Sequence, residues 1–238
     1  YYFDTISTTQ NFAMKIASEK NENGTVIISK KQTGGRGRMK RKWKSPAGGI
    51  WMSIIINPNF DISYATLVPI ATSLALCIAI EKTLKIKPEL KWPNDITIKG
   101  KKIAGVLVDT SIISNEIESM VLGVGINFKI KPRKLASIIK KTPNFYGVTT
   151  LVKKNESALL LVQQFLYELE NVIQLINLKR IKKIKNEWTK RSSTIGKNIS
   201  ITTDYDNLNG KAVKIDNDGA LIISKGKKTE RILVGDIT

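Results

Sequence analysis

The sequence predicts an α+β fold: a mixed, largely antiparallel sheet flanked by helices, followed by a small β domain. Three observations carry that prediction. Short β-branched runs of strand length lie in the first 130 residues with few helices between the middle ones. After Glu156 comes a long stretch with apolar residues at three- or four-residue spacing. Around Arg191 the period changes again, to four short strand candidates separated by Asn, Asp and Gly turns. With 238 residues, 42% of them hydrophobic, the chain can bury a substantial core. The expected domains are residues 1–190 and 191–238.

The elements follow in order. Phe12, Ala13, Ile16 and Ala17 mark one face of a helix over Thr8 to Ser18, with Ser7 or Thr8 as its N-cap. "TVIIS" (Thr25 to Ser29) and "GGIWMSIIIN" (Gly48 to Asn57) read as strands. Ser63 is placed to cap an apolar helix running to about Leu84. Its longest apolar run, Leu67 to Ile80, is interrupted by Pro69, Thr72 and Ser73 and falls short of the roughly 20 residues of a bilayer span, so it reads as a buried helix and no membrane role is expected. Leu90 to Ile98, a Lys99–Lys101 turn and Lys102 to Thr110 make a hairpin, and Ile117 to Phe128 is its antiparallel continuation. Phe165, Leu166, Leu169, Val172, Ile173, Ile176, Ile181, Ile184 and Trp188 fit one or two helices with a basic outer face. "KNISITT", "GKAVKID", "GALIIS" and "TERILVG" form a small barrel-like end, with "DNDG" (Asp216 to Gly219) among its turns.

Composition removes several chemistries. The chain has no histidine and one cysteine, Cys77, inside the apolar run, so zinc-type ligand sets and Ser-His or Cys-His nucleophile pairs cannot be assembled. A disulfide framework is excluded, no signal-peptide pattern opens the chain, and the cytoplasm is the expected compartment. The formal charge of +19 is uneven: "QTGGRGRMKRKWKSP" (Gln32 to Pro46) and "KRIKKIKNEWTKR" (Lys179 to Arg191) carry +6 each. For the second, a solvated helix face is the favoured reading.

The first stretch combines three glycines, six cations, no acid and one tryptophan in fifteen residues. Glycine permits close approach of a ligand to the main chain, and the surrounding Arg and Lys suit an anion. No Gly-Lys-Ser or Gly-Lys-Thr follows, and the glycines lack the dinucleotide-binding spacing. Two readings remain: a solvated surface loop, or a cationic loop folding over nucleotide phosphates, with Trp43 stacking on a flat ring or closing the pocket.

Taken together, "STT" (Ser7 to Thr9), "QTGGRGRMKRKWKSPAGGI" (Gln32 to Ile50), "KWPNDI" (Lys91 to Ile96), "KKIAGVLVD" (Lys101 to Asp109) and "GVGIN" (Gly123 to Asn127) resemble biotin protein ligase over nearly the whole chain. The resemblance implies a class II synthetase-like catalytic domain with an SH3-like C-terminal barrel. It implies ATP-dependent formation of biotinyl-5′-AMP, then transfer of biotin to a lysine of a biotin carboxyl carrier domain of a biotin-dependent carboxylase. ATP and Mg²⁺ are the implied cofactors. By that resemblance Lys91, Arg36 and Arg38 are catalytic. Biotin contacts fall on Ser7, Thr8, Thr9, Gln32, Gly35, Arg36, Gly37, Arg38, Lys91 and Gly105. ATP contacts fall on Arg38, Arg41, Trp43, Lys91, Asn94, Lys102, Gly125 and Asn127, and Asp95 is the implied Mg²⁺ ligand. Thr9 stands where the family pattern has asparagine, and Asp109 where it often has glutamate; Asp109 carries no implied role. The basic loop is expected to be mobile and to order over its ligands. The chain reaches the Ser7-Thr8-Thr9 segment almost at once, so the type without an N-terminal DNA-binding domain is expected and specific DNA binding is not; a homodimer is left open. The alternatives are a lipoate-type ligase, which lacks the "GRGRxxRxW" loop, and a nucleic-acid-binding protein.

Overall fold

A computed structural model describes residues 1–20, 22–131, 134, 147–152, 156–203 and 206–237. Its elements in chain order are β1 (Tyr2–Phe3), α1 (Thr9–Lys20), β2 (Val26–Ser29), β3 (Ile50–Ile56), α2 (Val68–Leu84), β4 (Glu89–Lys91), β5 (Asp95–Ile98), β6 (Lys101–Ile113) and β7 (Glu116–Ile126). Then follow α3 (Ala158–Asn177), α4 (Ile181–Lys190), β8 (Asn198–Thr202), β9 (Asn207–Ile215), β10 (Leu221–Lys225), β11 (Lys228–Ile232) and β12 (Asp236–Ile237). By packing, Tyr1–Ile62 with Ile98–Ala158 make one unit and Ser63–Thr97 with Leu159–Thr238 make a second.

In the first unit the strands run β1-β2-β3-β7-β6. Only β1 and β2 among these pair parallel, so the sheet is mixed and largely antiparallel as the sequence predicts. The uninterrupted apolar run of β3 is explained by burial of Ile50 through Ile55. Helix α1 covers the sheet through Ala13, Ile16 and Ala17, which pack with Ile27, Ile55 and Val121, while Phe12 meets Phe3 edge-on at 4.9 Å. Thr8 does act at the start of α1: its Oγ1 accepts from Gln10 N at 3.2 Å. Strands β6 and β7 put Gly105 opposite Gly125 and Asp109 opposite Val121.

In the second unit α2 departs from the expected start. Ile62–Leu67 forms a 3₁₀ turn, and the α-helix begins at Val68 with Pro69 in its first turn; Leu67 at the N-cap makes no side-chain cap, and Ser63 lies within the 3₁₀ turn. Proline's fixed φ and missing N–H suit the first helical turn, where N–H groups are unpartnered anyway. Together Ile62–Leu84 spans 23 residues and is long and apolar enough to cross a bilayer, longer than the interrupted run read in the sequence, but 61% of its most apolar window is buried inside the fold. Packing therefore accounts for its apolarity.

The amphipathic stretch divides into two helices at Lys179, whose φ of 55° ends the first. Phe165, Leu169, Val172 and Ile176 of α3 are buried, as are Ile181, Ile184 and Trp188 of α4. Strands β8 to β12 form a five-stranded antiparallel sheet ordered β11-β10-β9-β8-β12, one strand more than the sequence reading identified. The Asp216–Gly219 turn is present: Gly219 has φ 88°, and its N–H donates to Asp216 O at 3.1 Å.

Candidate active site

The basic glycine stretch is a nested hairpin in this structure. Gln32 N donates to Ser45 O (3.0 Å), Trp43 N to Gly35 O (2.8 Å), Gly37 N to Arg41 O (2.8 Å) and Arg41 N to Arg38 O (3.1 Å). At its tip Met39 and Lys40 both have positive φ, 52° and 56°, as the two central residues of a type I′ turn must. Its foot is tied to the chain ahead of α1, where Gly34 N donates to Ser7 O at 2.8 Å. A Cβ on Gly35 would lie 2.5 Å from Trp43 O and 2.6 Å from Ser45 Oγ, so the hairpin closes only around glycine there. Gly37 has ordinary room: a Cβ would come no nearer than 3.6 Å to Arg41.

Behind the foot of the hairpin stands a polar wall. Gln32 Oε1 accepts from Thr9 N at 2.8 Å and lies 3.1 Å from Thr9 Oγ1, while Gln32 Nε2 donates to Ser45 Oγ at 2.8 Å. Thr9 Oγ1 is 2.9 Å from Ser53 Oγ, and Ser53 Oγ donates to Gln10 Oε1 at 2.9 Å. Gln10 Nε2 in turn donates to Val121 O (2.9 Å) and Asp109 Oδ2 (3.1 Å). Two hydroxyl protons thus face three oxygen contacts. Each hydroxyl donates once. Ser53 gives its proton to Gln10, and the one Thr9 hydroxyl proton lies between Gln32 Oε1 and Ser53 Oγ, so Gln32 Oε1 is held by both the main chain and the side chain of Thr9. Thr9, Gln10 and Ser53 are all buried, so their polar atoms must find partners inside.

Arg36 reaches this wall from the hairpin: Nη1 donates to Asn11 Oδ1 at 2.5 Å and Nη2 to Asp109 Oδ2 at 3.2 Å. The motif reading did not select Gln10, Asn11, Ser53 or Asp109. A buried serine within the apolar run "IWMSIII" was a usable signal, because a lone hydroxyl in such a strand needs a partner. Asp109 stands at a motif position, but its role is not readable there, since its partners come from α1 and the hairpin.

Trp43, Lys102, Gly105 and Gly125 come together in the same unit. The indole lies against the glycine pair: a Cβ on Gly125 would be 2.6 Å from Trp43 Nε1, and one on Gly105 3.2 Å from Trp43 Cζ3. Lys102 Nζ sits 5.0 Å from the ring centroid, within cation–π range. Asn127 continues this edge, with its N–H donating to Ile103 O at 2.7 Å.

Lys91, Asn94 and Asp95 belong to the second unit. Strands β4 and β5 form a tight hairpin, Lys91 opposite Asp95, with a cis Trp92–Pro93 bond in the turn. The other edge of β4 is tied to the chain after α4. Leu90 N donates to Arg191 O (2.8 Å), Ser193 N to Leu90 O (2.9 Å) and Trp92 N to Thr194 Oγ1 (3.1 Å). Trp92 Nε1 donates to Gly219 O at 3.0 Å. Lys91 is therefore flanked by Leu90 and Trp92, both buried and both fixed at the backbone, and itself stays partly exposed. Arg191, next to this seam, pairs with Glu81 (2.9 Å) and Glu187 (2.7 Å); the hydrogen bonds to Glu81 hold its guanidinium charged. Among the described residues no three His, Cys, Asp or Glu side chains group to hold a metal. A single carboxylate such as Asp95 still suits Mg²⁺, which commonly takes one or two carboxylates and fills its octahedron with water and substrate phosphates.

Residues 2–127 match the Biotin/lipoate A/B protein ligase family, and residues 194–238 match the biotin protein ligase C-terminal domain. The chain is 30% identical to a bifunctional ligase/repressor of Bacillus subtilis over 99% of this chain and 72% of that protein. It is 27% identical to a biotin–[acetyl-CoA-carboxylase] ligase of Mycobacterium tuberculosis, over 98% of this chain and 85% of that one. Among solved structures, the Aquifex aeolicus biotin protein ligase in complex with biotin and ATP matches with a TM-score of 0.82 at 24% identity, covering 100% of this chain and 97% of that one, a likeness of fold.

Proposed function

Because the chain belongs to the biotin/lipoate A/B protein ligase family and is a biotin protein ligase, we propose that it converts biotin and ATP to biotinyl-5′-AMP and transfers the biotinyl group to a lysine of a biotin carboxyl carrier domain. In the first step a biotin carboxylate oxygen bonds to the α-phosphorus, the bond from that phosphorus to the bridging oxygen of the β-phosphate breaks, and pyrophosphate leaves. In the second the neutral amine of the acceptor lysine attacks the acyl carbon, AMP leaves with the anhydride oxygen, and the nitrogen sheds a proton.

One observation carries the reading: a buried, neutral polar wall, Thr9–Ser53–Gln10 with Gln32, stands at the foot of a strongly cationic hairpin. That pairing suits a ligand with a neutral polar head and an anionic tail. Thr9 and Gln32 are assigned to the polar head, and Ser7, Thr8 and Gly35 lie along the same foot. The opposed anions of the first step need fixed positive charge, and charge accumulates on the phosphoryl oxygens as the bond forms. Arg36, Arg38 and Arg41 are the guanidinium groups assigned to it, with Gly37 between the first two. Lys91, a compact cation on β4, is assigned to the carboxylate and α-phosphate. Trp43, Lys102, Gly105, Gly125, Asn127 and Asn94 are assigned to the nucleotide and its surroundings, and Asp95 to Mg²⁺, which neutralises phosphate charge when bound. The functional division we adopt is residues 1–190 for catalysis and 191–238 for the C-terminal domain. A chain with one cysteine has no internal disulfide, in keeping with the cytoplasm as the compartment.

The test is incubation with labelled biotin, ATP and Mg²⁺, then addition of a carboxylase carrier domain, with lipoic acid in a parallel arm. Labelled biotinyl-adenylate followed by label on the carrier lysine is expected. Activation of lipoic acid in preference to biotin overturns the substrate assignment.

A further inference from the structure

We propose that Asp109 is a positioning residue: together with Gln10 it forms a fixed seat that holds the Arg36 guanidinium, and with it the first limb of the basic hairpin, in the orientation used for adenylate formation. This rests on the ligase reading for the reaction but on the geometry alone for the seat.

The seat is built from the buried side outward. Gln10 is 3% exposed and all its side-chain bonds are assigned: Oε1 accepts from Ser53, and Nε2 donates to Val121 O and to Asp109 Oδ2. Asp109 stands opposite Val121 in the β6–β7 ladder, so the same strand pair that presents the carbonyl to Gln10 also presents the carboxylate. A buried amide without rotational freedom thus orients the carboxylate from behind. Arg36 lands on its accessible side, with Nη2 on the same oxygen and Nη1 on Asn11. The Arg36 and Asp109 side chains are 41% and 22% exposed. An ion pair that open to water, made through one oxygen, adds little to fold stability. It does select among the rotamers of a long, flexible arginine, and restricting those before the substrate arrives lowers the cost of aligning the guanidinium with a developing charge. Arg36 lies on the first limb near the foot and reaches Asp109 of β6, so a fixed Arg36 also fixes the limb that leads to Arg38.

The same hydrogen-bonded chain continues through Ser53 and Thr9 to Gln32, whose amide reaches Ser45 on the returning limb. Both limbs are therefore referred to one network, in which Asp109 supplies a carboxylate. An isosteric amide there keeps a partner for Gln10 and removes the charge that attracts Arg36.

The experiment is a double-mutant cycle on adenylate formation with Asp109→Asn and Arg36→Ala, run beside trypsin digestion of the ligand-free proteins. Asp109→Asn is expected to lower kcat about fivefold with KM for biotin and ATP within twofold and the melting temperature unchanged. In the Arg36→Ala background it should cost less than twofold. Asp109→Glu should recover at least half of the loss, since charge is retained at a longer reach. In the digestion arm, cleavage after Arg36 should quicken in Asp109→Asn while cleavage after Lys44 does not. A fivefold cost that persists without Arg36, or a melting temperature that falls in step with kcat, overturns the proposal, as does an unchanged cleavage pattern. A wild-type protein that forms no adenylate refutes the ligase reading instead, and the digestion arm still decides the seat.

Discussion

At the scale of single residues, Gly125 makes a sharp prediction. A methyl group there would sit 2.6 Å from Trp43 Nε1 and 2.8 Å from Trp43 Cε2, so Gly125→Ala must displace the indole. We expect a red shift of tryptophan emission that is absent in a Trp43→Phe background, and a rise in KM for ATP of about tenfold, or ~1.4 kcal/mol. Unchanged emission would contradict the packing described. Lys91 makes the opposite kind of prediction, because it contributes to chemistry and not to the core. Lys91→Ala should lose at least about 100-fold in adenylate formation, the scale of removing one preorganised electrostatic group, while its melting temperature stays near that of the wild type. Activity within tenfold of the wild type would remove Lys91 from its role. These two residues were legible in the sequence because each lies in a motif of restricted spacing. Gln10 and Ser53 lie outside those motifs and Asp109 lies in one without an implied role: what each does arises from side chains that meet across 40 to 100 positions of chain, and nothing local announces such a meeting.

At the scale of elements, the hairpin tip is the instructive case. Its composition predicts a stretch that orders over its ligands, and four main-chain hydrogen bonds that nest it from Gln32 to Ser45 define the conformation available to it. The tip pays for that order with left-handed Met39 and Lys40, each costing on the order of 1 kcal/mol in a conformation glycine adopts freely. Lys40→Gly should therefore tighten the tip. Trypsin cleavage after Arg38 and Arg41 should slow at least threefold in the ligand-free variant, whereas Lys40→Gln, which removes the charge but keeps the Cβ, should leave it near the wild-type rate. Equal slowing in both would assign the effect to charge. Two other elements show why boundaries eluded the pattern. Ser63 satisfied the rule for a cap, but the helix began where Pro69 sits in its first turn. Within Leu90 to Ile98 the Pro-Asn-Asp run signals a turn, but not that Trp92 is drawn into the fold by Thr194 and Gly219, 102 and 127 residues further on.

At the scale of the whole molecule, the charge of +19 invites an electrostatic function, and the two basic features answer differently. On α4 and just before it, Lys179, Arg180, Lys182 and Lys183 are exposed, while the apolar face of that helix is buried. That is the arrangement of a solvated face. Reversing Lys179, Lys182 and Lys183 to Glu should leave biotin transfer within twofold at physiological salt, where charges are screened over about 8 Å. A large loss confined to the transfer step would make the helix a docking surface. The fold class was legible because strand runs, helical spacing and turn residues agreed along the chain. By packing, each unit is assembled from two separated segments, a feature of the folded chain that linear composition does not announce. The basic hairpin is where the charge has a task, and its response to ligands tests that most directly. Limited trypsin digestion of the wild type should cut between Arg36 and Lys44 in the ligand-free protein, and biotin with ATP and Mg²⁺ should suppress those cuts far more than biotin in high salt. Cleavage of the hairpin at the same rate with and without biotin and ATP would contradict the account.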